Sequence, residues 1–352
     1  MNQSDPVLDS PRRYCGDVRP SSTDLGTGAC YPAEAMPEAL RVLLDDVHPE
    51  VEARFYRCAS PLPPAPDGCT VSDLGCGSGR AVYLASQLVD ERGRVIGVDM
   101  PPEQRAVARG HQDWHAQRYG HGQSNVAFRD GVIEDLAGAG IADASVDVAV
   151  SNCVRNLSPE KPRAFAGIFR VLKPGGELYV SDVFVDRRIP PALRRDPSLP
   201  GACLAGAPYT HDVHRLTADT GYADARTVSQ SPVSLLDPQI EATIGMVGVR
   251  SLTVRAFKLT LEDRCEDHGQ VATYPGGIDA GNGGYRHAFV LDDHHRFETG
   301  RPMPVCGNTA EMLASTRYAP YVRIDGDRSV HFGLFDCGPA PAGIGADATA
   351  CC

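Results

Sequence analysis

Cysteine is the residue type whose placement first asks for a chemical explanation. The chain carries 12 of them, and a thiolate is both a nucleophile and a ligand for soft, sulfur-seeking ions. The only adjoining pair is Cys351-Cys352, and no C-x2-C is followed by a second C-x2-C or by H-x3-H. That spacing excludes a zinc finger. A secreted domain would use so many cysteines as cross-links. The N-terminus MNQSDPVLDSPRRY, however, has neither the basic start nor the apolar stretch of a secretion signal. Thiol chemistry or soft-metalloid binding remains. Cys153 stands in VSNCVRNLSPEK, directly after an apolar run, while Cys30, Cys58 and Cys203 lie in stretches without regular pattern. A lone cysteine after a strand reads as a compact apolar filler; several thiols near one crevice read as a ligand set.

A second constellation is DLGCGSG, Asp73 to Gly79, between an apolar run and a helical one. Gly75, Gly77 and Gly79 permit a tight turn and close backbone approach to a ligand. Asp99 ends the next apolar run, where an acidic side chain accepts hydrogen bonds from both hydroxyls of a ribose. The spacing is G-x-G-x-G rather than the G-x-G-x-x-G of dinucleotide sites, and Asp73 would repel a phosphate while suiting the amino group of a sulfonium amino acid. We therefore expect S-adenosylmethionine rather than NAD. The candidate cofactor residues are Asp73, Gly75, Cys76, Gly77, Ser78, Gly79 and Arg80 on the loop, then Asp99 and Met100. Gly131, Ile133 and Glu134 follow the third strand and Asn152 ends the fourth. Glu134 reads either as a neighbour of the adenine or as an ordinary solvated acid.

These residues need elements to place them. The pattern predicts a helix over 34–47, a linker with a turn at PLPPAPDG (61–68), and then strands alternating with helices. The strands are 70–75, 94–100, 125–131, 145–152 and 175–184, and the helices are 81–89, 103–119 and 159–172. Such alternation gives a parallel sheet covered on both faces. Ligands then bind beyond the carboxyl ends of the strands, where Asp73, Asp99, Asn152 and Asp182 are expected. After four prolines in RRIPPALRRDPSLPG come a helix near 211–220 and the runs ARTVSQS and TVRAFKL, which extend the sheet. Boundaries fall near 187 and 262, and the Gly-rich remainder ends in a low-complexity tail.

The formal charge is −11, with 34 Lys and Arg against 45 Asp and Glu, and no dense basic run is present to neutralise a nucleic-acid backbone. No segment reaches the ~18 apolar residues of a membrane span. We expect a cytoplasmic monomer with no nucleic-acid or membrane partner.

The chain resembles the arsenite S-adenosylmethionine methyltransferases. The resemblance is carried by STDLGTGAC (22–30), RFYRC (54–58), DLGCGSGR (73–80), VIGVDM (95–100), SNCVRNLSPEKP (151–162), RVLKPGGELYVSDV (170–183), GACLAGA (201–207) and VRAFKL (254–259). It implies a Rossmann-like class I S-adenosylmethionine-dependent methyltransferase sheet with an N-terminal cap over 1–60, the cofactor domain over 61–187, an arsenic-binding domain over 188–262, a small C-terminal domain over 263–340 and a tail over 341–352. It also implies that Cys58, Cys153 and Cys203 bind trivalent arsenic, with arsenite and methylarsenite as substrates. By the same resemblance Cys30 pairs with Cys58 in a disulfide reduced by an external thiol, thioredoxin or glutathione, and Tyr56 packs over the cofactor. A core tyrosine is the competing reading of Tyr56.

The chain departs from the family pattern at Arg57 and Ala59 around the second cysteine, and at Ala81, Pro200 and Ala202. These changes leave the four thiols in place. Two other readings stay open: a methyltransferase of the same fold acting on an organic small molecule, and a non-catalytic metalloid binder. The thiol spacing argues against the first and the glycine loop with Asp99 against the second. The DDHH run, Asp292 to His295, reads as a solvated turn or a metal site.

Overall fold

The structure, a computed structural model, describes residues 38–55, 62–152, 156, 158, 160–193, 204, 206–235, 237–278 and 285–336. Cys30, Tyr56, Cys58, Cys153 and Cys203 lie outside this set. Helices α1 (Glu38–Leu44) and α2 (Pro49–Ala53) precede β1 (Thr70–Leu74), α3 (Arg80–Val89), β2 (Arg94–Asp99), α4 (Pro102–Gly110), α5 (Gln112–Tyr119) and β3 (Val126–Asp130). Then come β4 (Val146–Asn152), α6 (Lys161–Val171), β5 (Leu172–Val185), α7 (Thr210–Asp219), β6 (Ala225–Pro232), α8 (Pro238–Ile244) and β7 (Val249–Phe257).

The seven strands form one sheet in the order β3-β2-β1-β4-β5-β7-β6. Strands β1 to β5 pair in parallel, whereas β7 runs antiparallel to both β5 and β6. The apolar runs of β1 and β4 are buried almost continuously, as strands covered on both faces must be. One face packs Leu74, Ala149 and Val180 against Phe165 and Ile168 of α6. The other packs Val71, Val95 and Val148 against Val82, Tyr83 and Leu84 of α3. Strand order reverses between β1 and β4, and this switch point opens the crevice at their carboxyl ends.

The single helix expected over 103–119 is two, broken at His111 with φ −112° and ψ 11°. Gly110 weakens the helix there by up to about 1 kcal/mol relative to Ala. The break lets His115 stack on Tyr83 at a ring-centroid distance of 3.4 Å. Asp182 does not close its strand; β5 continues to Val185. The segment read as a linker is no tether, because residues 62–66 are buried and Arg317 Nε donates to Pro64 O at 3.1 Å.

Beyond β7 the chain forms short antiparallel pairs. These are β8 (Glu266–Asp267), β9 (Val271–Thr273), β10 (Ala288–Val290), β11 (Arg296–Glu298), β12 (Pro302–Pro304), β13 (Arg323–Asp325) and β14 (Gly333–Leu334), with helix α9 (Gly307–Ala314) among them. This part is joined to the main sheet through charge. Glu177 on β5 is fully buried and accepts from Arg255 Nε of β7 at 2.7 Å, and its other oxygen is ion-paired with Arg317. Among the described residues no helix is long and apolar enough to cross a membrane.

Candidate active site

The glycine loop leaves β1 at the switch point, and its conformation explains its composition. Gly75, Gly77 and Gly79 all have positive φ, of 81°, 56° and 93°, a region that penalises any residue with a Cβ. At Gly79 a Cβ would also stand 3.0 Å from the Phe128 ring. Gly75 and Cys76 donate backbone N–H groups to Val98 O at 2.7 and 3.0 Å. Gly77 N donates to Asp99 Oδ2 at 2.5 Å and Met100 N to Asp99 Oδ1 at 2.7 Å. The carboxylate at the end of β2 thus holds the loop of β1. Asp73 is buried one residue before the end of β1. Two carboxylates at adjacent strand ends beside a glycine turn are a set of acceptors fitted to a cationic ligand bearing hydroxyls.

The loop is also fastened to the N-terminal helices. Ser78 Oγ donates to Val51 O at 2.9 Å. Arg80 pairs through Nε with Glu52 Oε2 at 3.0 Å and lays its guanidinium over the Phe55 ring at 4.0 Å. Burial lowers the Arg80 pKa, and Glu52 opposes that shift. Phe55 is three residues from Cys58, so the chain carrying that thiol departs from the rim of the glycine loop.

Farther along the strand ends, Gly131 packs so closely that a Cβ would meet Ala139 Cβ at 2.6 Å, and Ile133 is buried beside it. Glu134 is no solvated acid: it is 8% exposed and accepts from Ser158 Oγ. That bond ties the third strand's loop to the segment after Cys153. Arg105 was not singled out by the sequence reading. It is buried, donates to Asp99 O and Met100 O at 2.6 Å each, and pairs with Asp130 at 2.9 Å. Its signal is faint, an arginine on the inner face of the helix after β2.

Asn152, buried at the end of β4 opposite Ser181, is the residue before Cys153. Leu204, wholly buried, follows Cys203. Asn152 and Leu204 are the described residues that adjoin these two cysteines in sequence. Asn156 N donates to Asp182 Oδ2 at 3.2 Å and Asn156 Nδ2 to Val183 O at 2.7 Å. A Cβ on Gly206 would lie 1.7 Å from Asn156 O. Asn156 and Gly206 therefore touch backbone to backbone. The helix expected over 159–172 begins at Lys161.

The described cysteines outside this group are structural. Cys69 and Cys76 are buried and not disulfide-bonded; burial pushes the Cys69 thiol up to about 11, and Cys76 Sγ lies 2.9 Å from where a Cβ on Gly97 would stand. Cys306 caps α9, its sulfur accepting from Thr309 N. Cys265 is disulfide-bonded, a cross-link the sequence reading did not expect. In the DDHH run Asp292 and His295 are buried and Asp293 and His294 half-buried, so the run is not a fully solvated turn. Asp292 accepts from Arg226 at 2.9 Å and from His295 at 2.7 Å. His48, Glu50 and His111 do bring donor atoms within 4.8 Å of one another. The two rings, however, stack at 3.7 Å and 20°, so their in-plane lone pairs do not converge on one ion.

Comparison with known proteins agrees with this geometry. The family described as "Methyltransferase domain" matches residues 65–221. The arsenite methyltransferase of Aquipseudomonas alcaligenes is 51% identical over 332 residues, 94% of each chain. The arsenite methyltransferase of Homo sapiens is 38% identical over 310 residues, 87% of this chain and 80% of the human one. Among solved structures, an arsenic (III) S-adenosylmethionine methyltransferase from Chlamydomonas reinhardtii has a TM-score of 0.82 at 46% identity, covering 86% of this chain and 100% of that one. With that coverage, the seven-stranded sheet and the glycine loop held by Asp99, the chain belongs to the arsenite methyltransferase family, S-adenosylmethionine-dependent methyltransferases of class I fold.

Proposed function

We propose that this protein transfers methyl groups to thiolate-bound trivalent arsenic, with arsenite and methylarsenite as substrates. The cofactor supplies a sulfonium methyl carbon as electrophile. The chain's residues supply the rest. Asp99 accepts from ribose hydroxyls while anchoring Gly77 and Met100, and Asp73 faces the cationic amino group. The glycine turn brings backbone close to the ligand. Cys58, Cys153 and Cys203 hold arsenic as a pyramidal complex whose lone pair is the nucleophile. No proton leaves arsenic, so no general base is needed. Metalloid binding displaces the thiol protons and carries the cost of forming thiolates.

Attack by the lone pair oxidises arsenic by two electrons. Thiolates of Cys30 and Cys58 return those electrons by forming a disulfide, and an external dithiol such as thioredoxin, or glutathione, reduces it. A site that cycles through a disulfide needs a reducing compartment, which supports a cytoplasmic location. The segment over 188–262 acts as the arsenic-binding part by contributing Cys203. One observation carries this reading: the chain flanking Cys153 and the chain flanking Cys203 meet at Asn156 and Gly206, beside the crevice.

The test is direct. Purified protein with S-adenosylmethionine, arsenite and a dithiol yields methylated arsenic, resolved by chromatography with elemental detection. Unchanged arsenite with every thiol tried overturns the reading.

A further inference from the structure

Strand β3 is the outer strand of the seven-stranded sheet. Just before it, Asn125 O accepts from Val95 N of β2 at 3.0 Å. Carbonyls point to alternate sides along a strand, so those of Val126 and Phe128 lie on the open edge, where they need other donors. Side chains of α4 and α5 supply them. Gln112 Nε2 donates to Val126 O at 2.8 Å and Arg109 Nη2 to Phe128 O at 2.9 Å. Arg105, one helical turn before Arg109, completes the series by pairing with Asp130 at the end of the strand at 2.9 Å.

Arg105 alone of the three also reaches β2. Its Nη1 donates to Asp99 O and Met100 O at 2.6 Å each, and Asp99 O accepts from Gly131 N at 3.3 Å as well. The same Asp99 holds Gly77 N through its carboxylate. One terminal nitrogen therefore joins two strand ends, β2 with Asp99 and Met100, and β3 with the turn into Gly131, Ile133 and Glu134. Arg105 is buried, whereas the Asp130 carboxylate is 69% exposed. An ion pair with so exposed a partner contributes little by charge, so the bridge acts through geometry. Arg105 Nε is buried and makes no hydrogen bond among the described residues, which leaves the bridging to Nη1.

We propose that Arg105 is a positioning residue of the cofactor site, fixing the ends of β2 and β3 at one spacing so that Asp99 meets the ribose while the turn from Gly131 flanks the adenine. The proposal rests on the reading of Asp99 as the ribose ligand and specifies what holds that residue in place. A site held at the right spacing binds without the ordering cost that free segments meet.

The test is calorimetric binding of S-adenosylmethionine and S-adenosylhomocysteine to the full-length protein. Arg105→Met keeps the apolar stem, removes every donor, and is expected to weaken both ligands at least tenfold. Arg105→Lys is expected to return to within threefold of wild type, because one ammonium offers three N–H groups where Nη1 stood. Arg109→Ala, which loses only a mid-strand tie, is expected to stay within twofold. Wild-type affinity in Arg105→Met overturns the positioning role, as does an equal loss in Arg109→Ala or no recovery in Arg105→Lys. Asp99→Ala separates this proposal from its parent. Wild-type affinity there overturns the ribose assignment and the proposal with it, whereas weakened binding in Asp99→Ala beside unchanged binding in Arg105→Met overturns the proposal alone. If Arg105→Met does not fold, Asp130→Ala at the exposed end of the bridge decides: a three- to fivefold loss is expected, and unchanged affinity overturns the proposal.

Discussion

At the scale of single residues, the chain separates its cysteines by environment. Cys69, Cys76 and Cys306 are buried and not disulfide-bonded, which shields them from reagents, and burial also pushes the Cys69 thiol up to about 11, leaving it little thiolate at neutral pH. Alkylation of the folded, arsenite-free protein at pH 7, read by peptide mass spectrometry, is expected to spare these three until denaturant is added. The four thiols proposed for catalysis, Cys30, Cys58, Cys153 and Cys203, are expected to react first. Cys30→Ser is expected to slow multiple turnover while leaving arsenite affinity largely unchanged; abolished binding would show Cys30 to be a ligand. Asp99 holds the glycine loop and is proposed to accept from the cofactor ribose, so Asp99→Ala is expected to raise the S-adenosylmethionine Kd by ten- to a hundredfold in calorimetry. An unchanged Kd would remove Asp99 from the site.

At the scale of elements, β1 to β5 were legible because parallel strands buried on both faces leave continuous apolar runs, as VDVAVSN shows. Gly75, Asp99 and Asn152 could be placed because a strand end is a local property. Other features depend on contacts far along the chain and leave no local pattern. The burial of 62–66 depends on Arg317, and the meeting of Asn156 with Gly206 depends on two loops from different parts of the sheet. The break at His111 belongs here too, since its reason is the stack of His115 on Tyr83. That stack has a pH signature. His115 Nε2 accepts from His48 N at 3.1 Å and its Nδ1–H donates to His111 O at 2.7 Å. Burial lowers its pKa from 6.5 to about 4. Between those values the unfolded chain binds more protons than the folded one, so this contribution is full above pH 6.5 and is lost as pH falls toward 4. It amounts to on the order of 3 kcal/mol. His115→Gln is expected to be less stable at pH 7 and to show a shallower fall in Tm from pH 7 to 4.5; parallel curves would place the titration elsewhere.

At the scale of the whole molecule, Glu177 on β5 and Arg226 on β6 are buried charges that join the sheet to the C-terminal part. Glu177→Gln strands the positive charges of Arg255 and Arg317 without their buried partner, a change that typically costs about 3–5 kcal/mol. A drop of that size in chemical denaturation is expected, and a loss below 1 kcal/mol would mean that Tyr318 or bulk water takes over the arginines. The arrangement is lopsided. Arg255 and Glu177 belong to the sheet, whereas the second cation and Leu291 O, which accepts from Arg255, come from beyond residue 262. A minimal fragment ending at 262 would therefore keep every cysteine implicated in chemistry and still be a poor reagent. It would expose the apolar underside of the 62–66 stretch and open a charged pair to solvent at the middle of β5, so trimming for a biotechnological use should stop short of this region or replace the pair with apolar residues.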